Sequence, residues 1–153
     1  MAGNITLTII KPEAVAHAYT GDILRIISAA GFTIAALKLT RMSHAQAAGF
    51  YKVHLEKPFY RELVEFMASG PIVAAILQKE NAVEEYRKLI GLTDPAKAPA
   101  GTIRQLFGET IRRNAVHGSD SDVNALKEAG YFFQVWERFD RDGNFLEPEE
   151  QVG

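Results

Sequence analysis

The chain contains no cysteine. That excludes a disulfide framework, a thiolate nucleophile and any metal site built on sulfur, and it suits a reducing compartment. Long apolar runs are also missing: nothing approaches the roughly 20 residues that span a bilayer. The opening Met1-Ala2-Gly3-Asn4 lacks the charged-then-apolar order of a secretory leader. A cytoplasmic location without a membrane partner is the resulting expectation. Neither sign of charge is in large excess. Lys and Arg number 17 against 19 Asp and Glu, a net charge of −2, so no global basic field draws in nucleic acid or anionic lipid. A phosphate-bearing ligand has to be held by a local cluster of cations. What is present is ordinary for a globular protein: 153 residues, 47% hydrophobic, enough for one compact domain and with no internal repeat.

Turn residues divide the chain into short periodic segments. Ile5 to Ile10 is apolar and β-rich, ending at Lys11-Pro12. Ile23 to Ala30 is helical in length, closed by Gly31, and Phe32 to Leu39 reads as a second strand. Ser43 is a fitting N-cap for a helix through Tyr51 toward His54; Pro58 opens another, with Phe59, Leu63, Phe66 and Met67 at helical spacing and Gly70-Pro71 as its stop. Ile72 to Leu77 is a nearly unbroken apolar run, the pattern of a strand covered on both faces. Asn81 caps a helix over Ala82 to Ile90, Leu92 to Gly101 is too punctuated for a regular element, and Thr102 to Phe107 suits a short helix. Ser119 or Ser121 caps a helix ending near Ala129, and Tyr131 to Trp136 is the last strand candidate. The order suits an α+β fold, a ferredoxin-like βαββαβ sandwich whose four-stranded antiparallel sheet carries helices on one face; a doubly wound sheet is the competitor. The domain is expected to end near residue 137, with 138–153 a polar tail within it or loosely ordered. Within that tail, Asp140 to Asn144 has the acidic look of a calcium loop, but glycine and the twelfth position fall wrongly, and a turn at Asp142-Gly143 is expected instead.

The chemistry concentrates in Asn114-Ala115-Val116-His117-Gly118-Ser119-Asp120-Ser121. A neutral imidazole is a competent nucleophile at pH 7 because one ring nitrogen keeps a free lone pair. Its other nitrogen needs an acceptor, and Glu128 in the next helix is a candidate. A glycine gives the backbone room, and a helix start beyond it would offer free N–H groups to an anion. Taken alone, a histidine in a turn is most often a surface or capping residue. The full string, however, resembles the active-site signature of the nucleoside diphosphate kinases. Further segments are similar to that family, in order and at its spacing: Ile10-Lys11-Pro12, Tyr51 to His54 with Lys57-Pro58-Phe59, Ser69 to Ala74, Arg87, Thr93-Asp94-Pro95 and Gly101-Thr102-Ile103-Arg104.

The resemblance implies roles. His117 is the residue phosphorylated in ping-pong transfer of a γ-phosphate from a nucleoside triphosphate to a diphosphate. Lys11 serves the sugar and the transferring group; Arg87, Arg104 and Thr93 bind phosphate, with His54 a further contact. Asn114 donates to the ribose 3′-hydroxyl. Phe59 stacks on the base beside Leu63 and Ile111. Tyr51, Glu128 and Ser119 hold the histidine. The resemblance also implies Mg²⁺ carried on the nucleotide phosphates rather than in a protein cage, and self-association into a homo-oligomer. Ala100 stands where the family commonly has proline before Gly101, in a loop that helps hold subunits together. Two other readings compete: a binding module on this fold that has lost catalysis, and a structural interaction domain. The histidine with its polar neighbours argues against both, and the absent basic stripe argues against nucleic acid as main ligand.

Overall fold

A computed structural model describes residues 3–146. Its elements run β1 (Ile5–Ile10), α1 (Pro12–Ala16), α2 (Thr20–Ala29), β2 (Thr33–Thr40), α3 (His44–Phe50), α4 (Tyr60–Met67), β3 (Ile72–Gln78), α5 (Ala82–Ile90), α6 (Ile103–Phe107), β4 (Val116–Gly118) and α7 (Asp122–Phe132), with 3₁₀ turns at Lys52–His54, Pro95–Lys97 and Val135–Glu137. The four strands form one sheet in the order β2-β3-β1-β4, and every pairing is antiparallel. The α+β architecture is therefore the expected one.

Helices lie on both faces of the sheet rather than on one. On one side Leu7, Ile9, Ala74 and Ile76 pack with Ala47 of α3, Leu63, Val64 and Met67 of α4, and Ala129 of α7. On the other, Ile10, Val73, Ala75 and Leu77 meet Ala14 of α1, Ile23 and Ile27 of α2, Tyr86 and Ile90 of α5, and Ile103 of α6. The central strands β1 and β3 thus have no wet face, which is why they read as continuous apolar runs. Each fully buried Ile or Leu there contributes about 1.5–3 kcal/mol.

Local signals set the helix starts. The Ser43 hydroxyl accepts from the Gln46 N–H while the Gln46 side chain accepts from the Ser43 N–H, a closed capping box. Thr102 caps α6 and Ser121, not Ser119, caps α7. Asn81 occupies the cap of α5 at φ +55°, but its amide donates to Glu84 rather than accepting from the helix. Pro58 lies in the turn before α4, which begins at Tyr60.

The fourth strand is not where the sequence pattern puts it. Tyr131 and Phe132 finish α7, and Val135–Glu137 is a 3₁₀ turn. Phe132 and Phe133 continue the 3.6 period of Ala125 and Ala129 into the same core, so packing on the sheet extends the helix. The fourth strand is Val116–Gly118, paired with Ile10, Ile9 and Thr8 of β1. Beyond α7, Phe139 N–H donates to the Ala35 carbonyl at the bulge of β2, and Leu146 N–H donates to the Arg138 carbonyl. The Asp140 carboxylate accepts from the N–H groups of Asp142 and Asn144 at 2.9 and 3.0 Å, making the turn expected at Asp142-Gly143.

Candidate active site

His117 sits in the middle of β4, opposite Ile9, and not at the mouth of a helix. Its backbone is fixed from behind. Thr8 Oγ1 donates to the His117 carbonyl at 2.9 Å, which leaves the Tyr86 hydroxyl to donate to Thr8 at 2.6 Å. Gly118 lies tight against α5: a Cβ there would stand 3.0 Å from Ile90 Cδ1 and 3.2 Å from the Tyr86 ring, so those side chains would have to shift. The ring is fixed from the side. Nε2 lies 2.7 Å from Glu128 Oε1, and that oxygen also accepts from Ser119 Oγ at 2.8 Å. The carboxylate holds the proton on Nε2, so Nδ1 keeps the free lone pair. Phe50 and Tyr51 meet the imidazole edge-on at 5.4 and 6.2 Å between centroids. Burial, with the Glu128 charge adding, pushes the Tyr51 phenol well above its ordinary value, so it stays protonated, and its hydroxyl is buried without a partner among the described residues.

Around this ring opens a cleft of about 1090 Å³. Lys11, Tyr51, His54, Phe59, Leu63, Arg87, Thr93, Arg104, Ile111, Asn114, His117 and Glu128 all line it. Of the residues singled out by sequence, Ser119 alone does not; it is fully buried and reaches the site through Glu128. His17 lies elsewhere, 3.1 Å from Glu109.

The cations are costly to keep there. Lys11 is 7% exposed, and its Nζ donates to the Arg112 carbonyl at 3.2 Å. Burial first, then the Arg104 charge, pushes its pKa down to about 7, against the pull of Glu13 and with Arg112 adding. Arg104 donates Nη1 to the Gly91 carbonyl and Nη2 to the Val116 carbonyl, at 3.1 and 3.0 Å, while its Nε is buried without a partner among the described residues. Burial lowers its pKa to about 10, which leaves it charged. Asn114 is buried; Nδ2 donates one N–H to the Thr93 carbonyl at 3.0 Å and keeps a second, and Oδ1 has no partner among the described residues.

The other wall is aromatic. Tyr51, His54 and Phe59 follow one another at 6.5 and 5.5 Å between centroids. Phe59 and Ile111 are exposed at the rim. Cleft residues not foreseen include Phe50, Arg112 and Asp120. Phe50 is adjacent to Tyr51 and Arg112 to Ile111, but no spacing rule marks either. Arg112 Nη1 meets Glu62 of α4 at 2.8 Å, tying the two walls together at the mouth.

A histidine with one free nitrogen, facing three buried or half-buried cations across a cleft with an aromatic wall, suits attack on a nucleotide phosphate. The model of the family "Nucleoside diphosphate kinase" matches residues 4–137. The chain belongs to the nucleoside diphosphate kinase family. A nucleoside diphosphate kinase from Flavobacterium psychrophilum is 53% identical over 139 residues, 91% of this chain and all of that one. Another, from Salinibacter ruber, is 53% identical across 87% of this chain and 94% of its own length. Among solved structures, the Aquifex aeolicus nucleoside diphosphate kinase superposes with a TM-score of 0.87 at 43% identity, covering 88% of this chain and 98% of that one. The Halobacterium salinarum nucleoside diphosphate kinase, solved in complex with CDP, gives 0.85 at 32% identity, over 90% and 93%. As a nucleoside diphosphate kinase the chain is a nucleotide-binding phosphotransferase, and the readings as a structural domain or a non-catalytic module fall away.

Proposed function

We propose that His117 Nδ1 is the nucleophile and that both halves of the reaction run through it. In the first half the ring nitrogen forms a bond to the γ-phosphorus, the bond to the bridging oxygen breaks, and the nucleoside diphosphate departs with the electron pair. In the second, a terminal oxygen of an acceptor diphosphate takes the phosphoryl group and frees the imidazole. Glu128 balances the positive charge that the ring acquires, and Ser119 keeps that carboxylate in place. Lys11, Arg87 and Arg104 neutralise charge on the transferring and departing oxygens, and Thr93 adds a hydroxyl. His54 adds a phosphate contact, and Tyr51, edge-on to the imidazole, helps to hold it.

Phe59 stacks on the base with Leu63 and Ile111 beside it, and Asn114 donates its second Nδ2 proton to the ribose 3′-hydroxyl. A base held by its face rather than its edge is weakly discriminated. Mg²⁺ on the triphosphate would supply further neutralisation of the leaving group. Among the described residues no group of three or more His, Cys, Asp or Glu gathers to cage a cation; Asp120, on the cleft lining with its Oδ1 accepting from Asn124, is a carboxylate that would lie near such an ion.

The observation that carries this reading is the 2.7 Å contact between Nε2 and Glu128, which leaves one nitrogen free on a ring that lines a cleft shared with Lys11, Arg87 and Arg104. Incubation with γ-labelled triphosphate should give an acid-labile, base-stable phosphate on the protein. The His117→Ala variant should fold and take up none; labelling of that variant would overturn the assignment.

We further infer self-association through the edge strand β2, whose Leu37 and Leu39 are 50% and 69% exposed. The lack of cysteine supports work in the cytoplasm, and among the described residues no helix is long and apolar enough to cross a membrane. Residues 138–146 are bonded to β2 and to α7's end, which supports counting them in the same domain as 1–137; residues 147–153 lie outside the described part.

A further inference from the structure

Just before β4 the backbone adopts a turn that L-residues avoid. Val116 N–H donates to the Asn114 carbonyl at 2.9 Å, across an Ala115 whose φ is +75°. This is a γ-turn of the strained sense, and a Cβ makes it costly. Ala115 is fully buried, lies beside Asn114, and stands two residues before His117. Nothing in alanine favours that conformation, so neighbours must impose it.

Both backbone groups of Ala115 are gripped by the segment that leaves β1. Its carbonyl accepts from Lys11 N–H at 2.9 Å, and its N–H donates to Glu13 Oε1 at 3.1 Å. Glu13 is itself 5% exposed on the first turn of α1. A carboxylate in that position gives up solvation, and burial raises its pKa; the bond from Ala115 and the charge of Lys11 oppose the rise. A side chain whose role was only to fill space would be apolar here, since Ala14 and Val15 beside it pack with the core.

We propose that Glu13 is a positioning residue: its carboxylate clamps the γ-turn at Ala115 and thereby sets the placement of His117 on one side and Asn114 on the other. A carboxylate suits the task because its bond to a backbone N–H is charge-assisted and about twice as strong as a neutral one. The inference rests on the reading of His117 as the nucleophile.

The experiment is single-turnover labelling of His117 by γ-labelled triphosphate, followed at several nucleotide concentrations. Glu13→Ala should slow the transfer step about tenfold while leaving the half-saturating nucleotide concentration within about twofold, because relaxation of a strained turn misplaces the ring. Ala115→Gly in the same chain should recover most of that loss, since glycine takes positive φ without penalty. Three outcomes would overturn the proposal: Glu13→Ala transfers at the parent rate; its loss is not recovered by Ala115→Gly; or its loss lies wholly in nucleotide affinity. If Glu13→Ala does not fold, Glu13→Gln takes its place, keeping an acceptor oxygen but losing the charge. It should lose about twofold to threefold and be recovered by the same glycine, with the same results counting against it. Absence of label on the parent protein would instead refute the phosphohistidine reading and would be told apart at once.

Discussion

With Lys11 serving the phosphates as proposed, folding and binding conflict at a single residue. Burial, and then the Arg104 charge, lowers its pKa to about 7 from the 10.5 of a free lysine. The unfolded chain therefore binds more protons than the folded one between those two values, and in that window stability rises with pH. Below about pH 7 the lysine is charged in both states, and the folded protein bears the whole cost of the buried ammonium. Lys11→Met should thus melt at a higher temperature than the parent, with a larger gain at pH 6.5 than at pH 10, although it transfers phosphate poorly. Thermal melts at the two pH values test this; an equal gain at both would mean that the charge is not what costs stability. A triphosphate pushes the balance back by supplying the counter-charge that the empty cleft lacks.

At the scale of elements, what could be read from sequence follows from what each element packs against. β1 and β3 were legible because both faces are covered, which leaves an apolar run, and α5 and α6 because their flanks carry stops and a cap. β4 has three residues, too few for any period, and it owes its place to pairing with Thr8, Ile9 and Ile10. The five-residue α1 was hidden by Pro12, which reads as an end when it is a start. The site followed the same rule. Residues inside the family strings, such as His117, Arg104 and Asn114, were legible and do line the cleft; Glu13, Phe50 and Arg112 were not, because their contacts with Ala115, His117 and Glu62 join segments remote in sequence. Gly118 belongs to this scale, since it lets β4 lie against α5. Gly118→Ala should cost about 1–3 kcal/mol through overpacking against Ile90 and Tyr86 and should slow transfer too, because His117 precedes it. Chemical denaturation beside a rate assay checks both, and an unaltered midpoint would show that α5 yields freely.

For the whole molecule, the informative surface is the sheet edge. β2 is half covered: Phe139 bonds to Ala35, and Arg141 Nε donates to Thr33 Oγ1 at 3.3 Å. Its other half, with Leu37 and Leu39, is open. An uncovered strand edge bearing two leucines invites a second copy, and the stacked rings of Phe139 and Phe145 close off the portion nearest the bulge. Leu39→Asp should therefore sediment as a smaller species than the parent protein while keeping its helix and sheet content. An unchanged sedimentation coefficient would direct the search for the contact elsewhere.

One consequence follows from the placing of His117 on a strand rather than on a swinging loop. The imidazole cannot travel between a donor pocket and an acceptor pocket, so both nucleotides must take turns in one berth. An acceptor that arrives before the ring is charged occupies it unproductively. High acceptor concentrations should then throttle turnover, and the throughput of the protein should follow the ratio of the two nucleotides rather than the abundance of either.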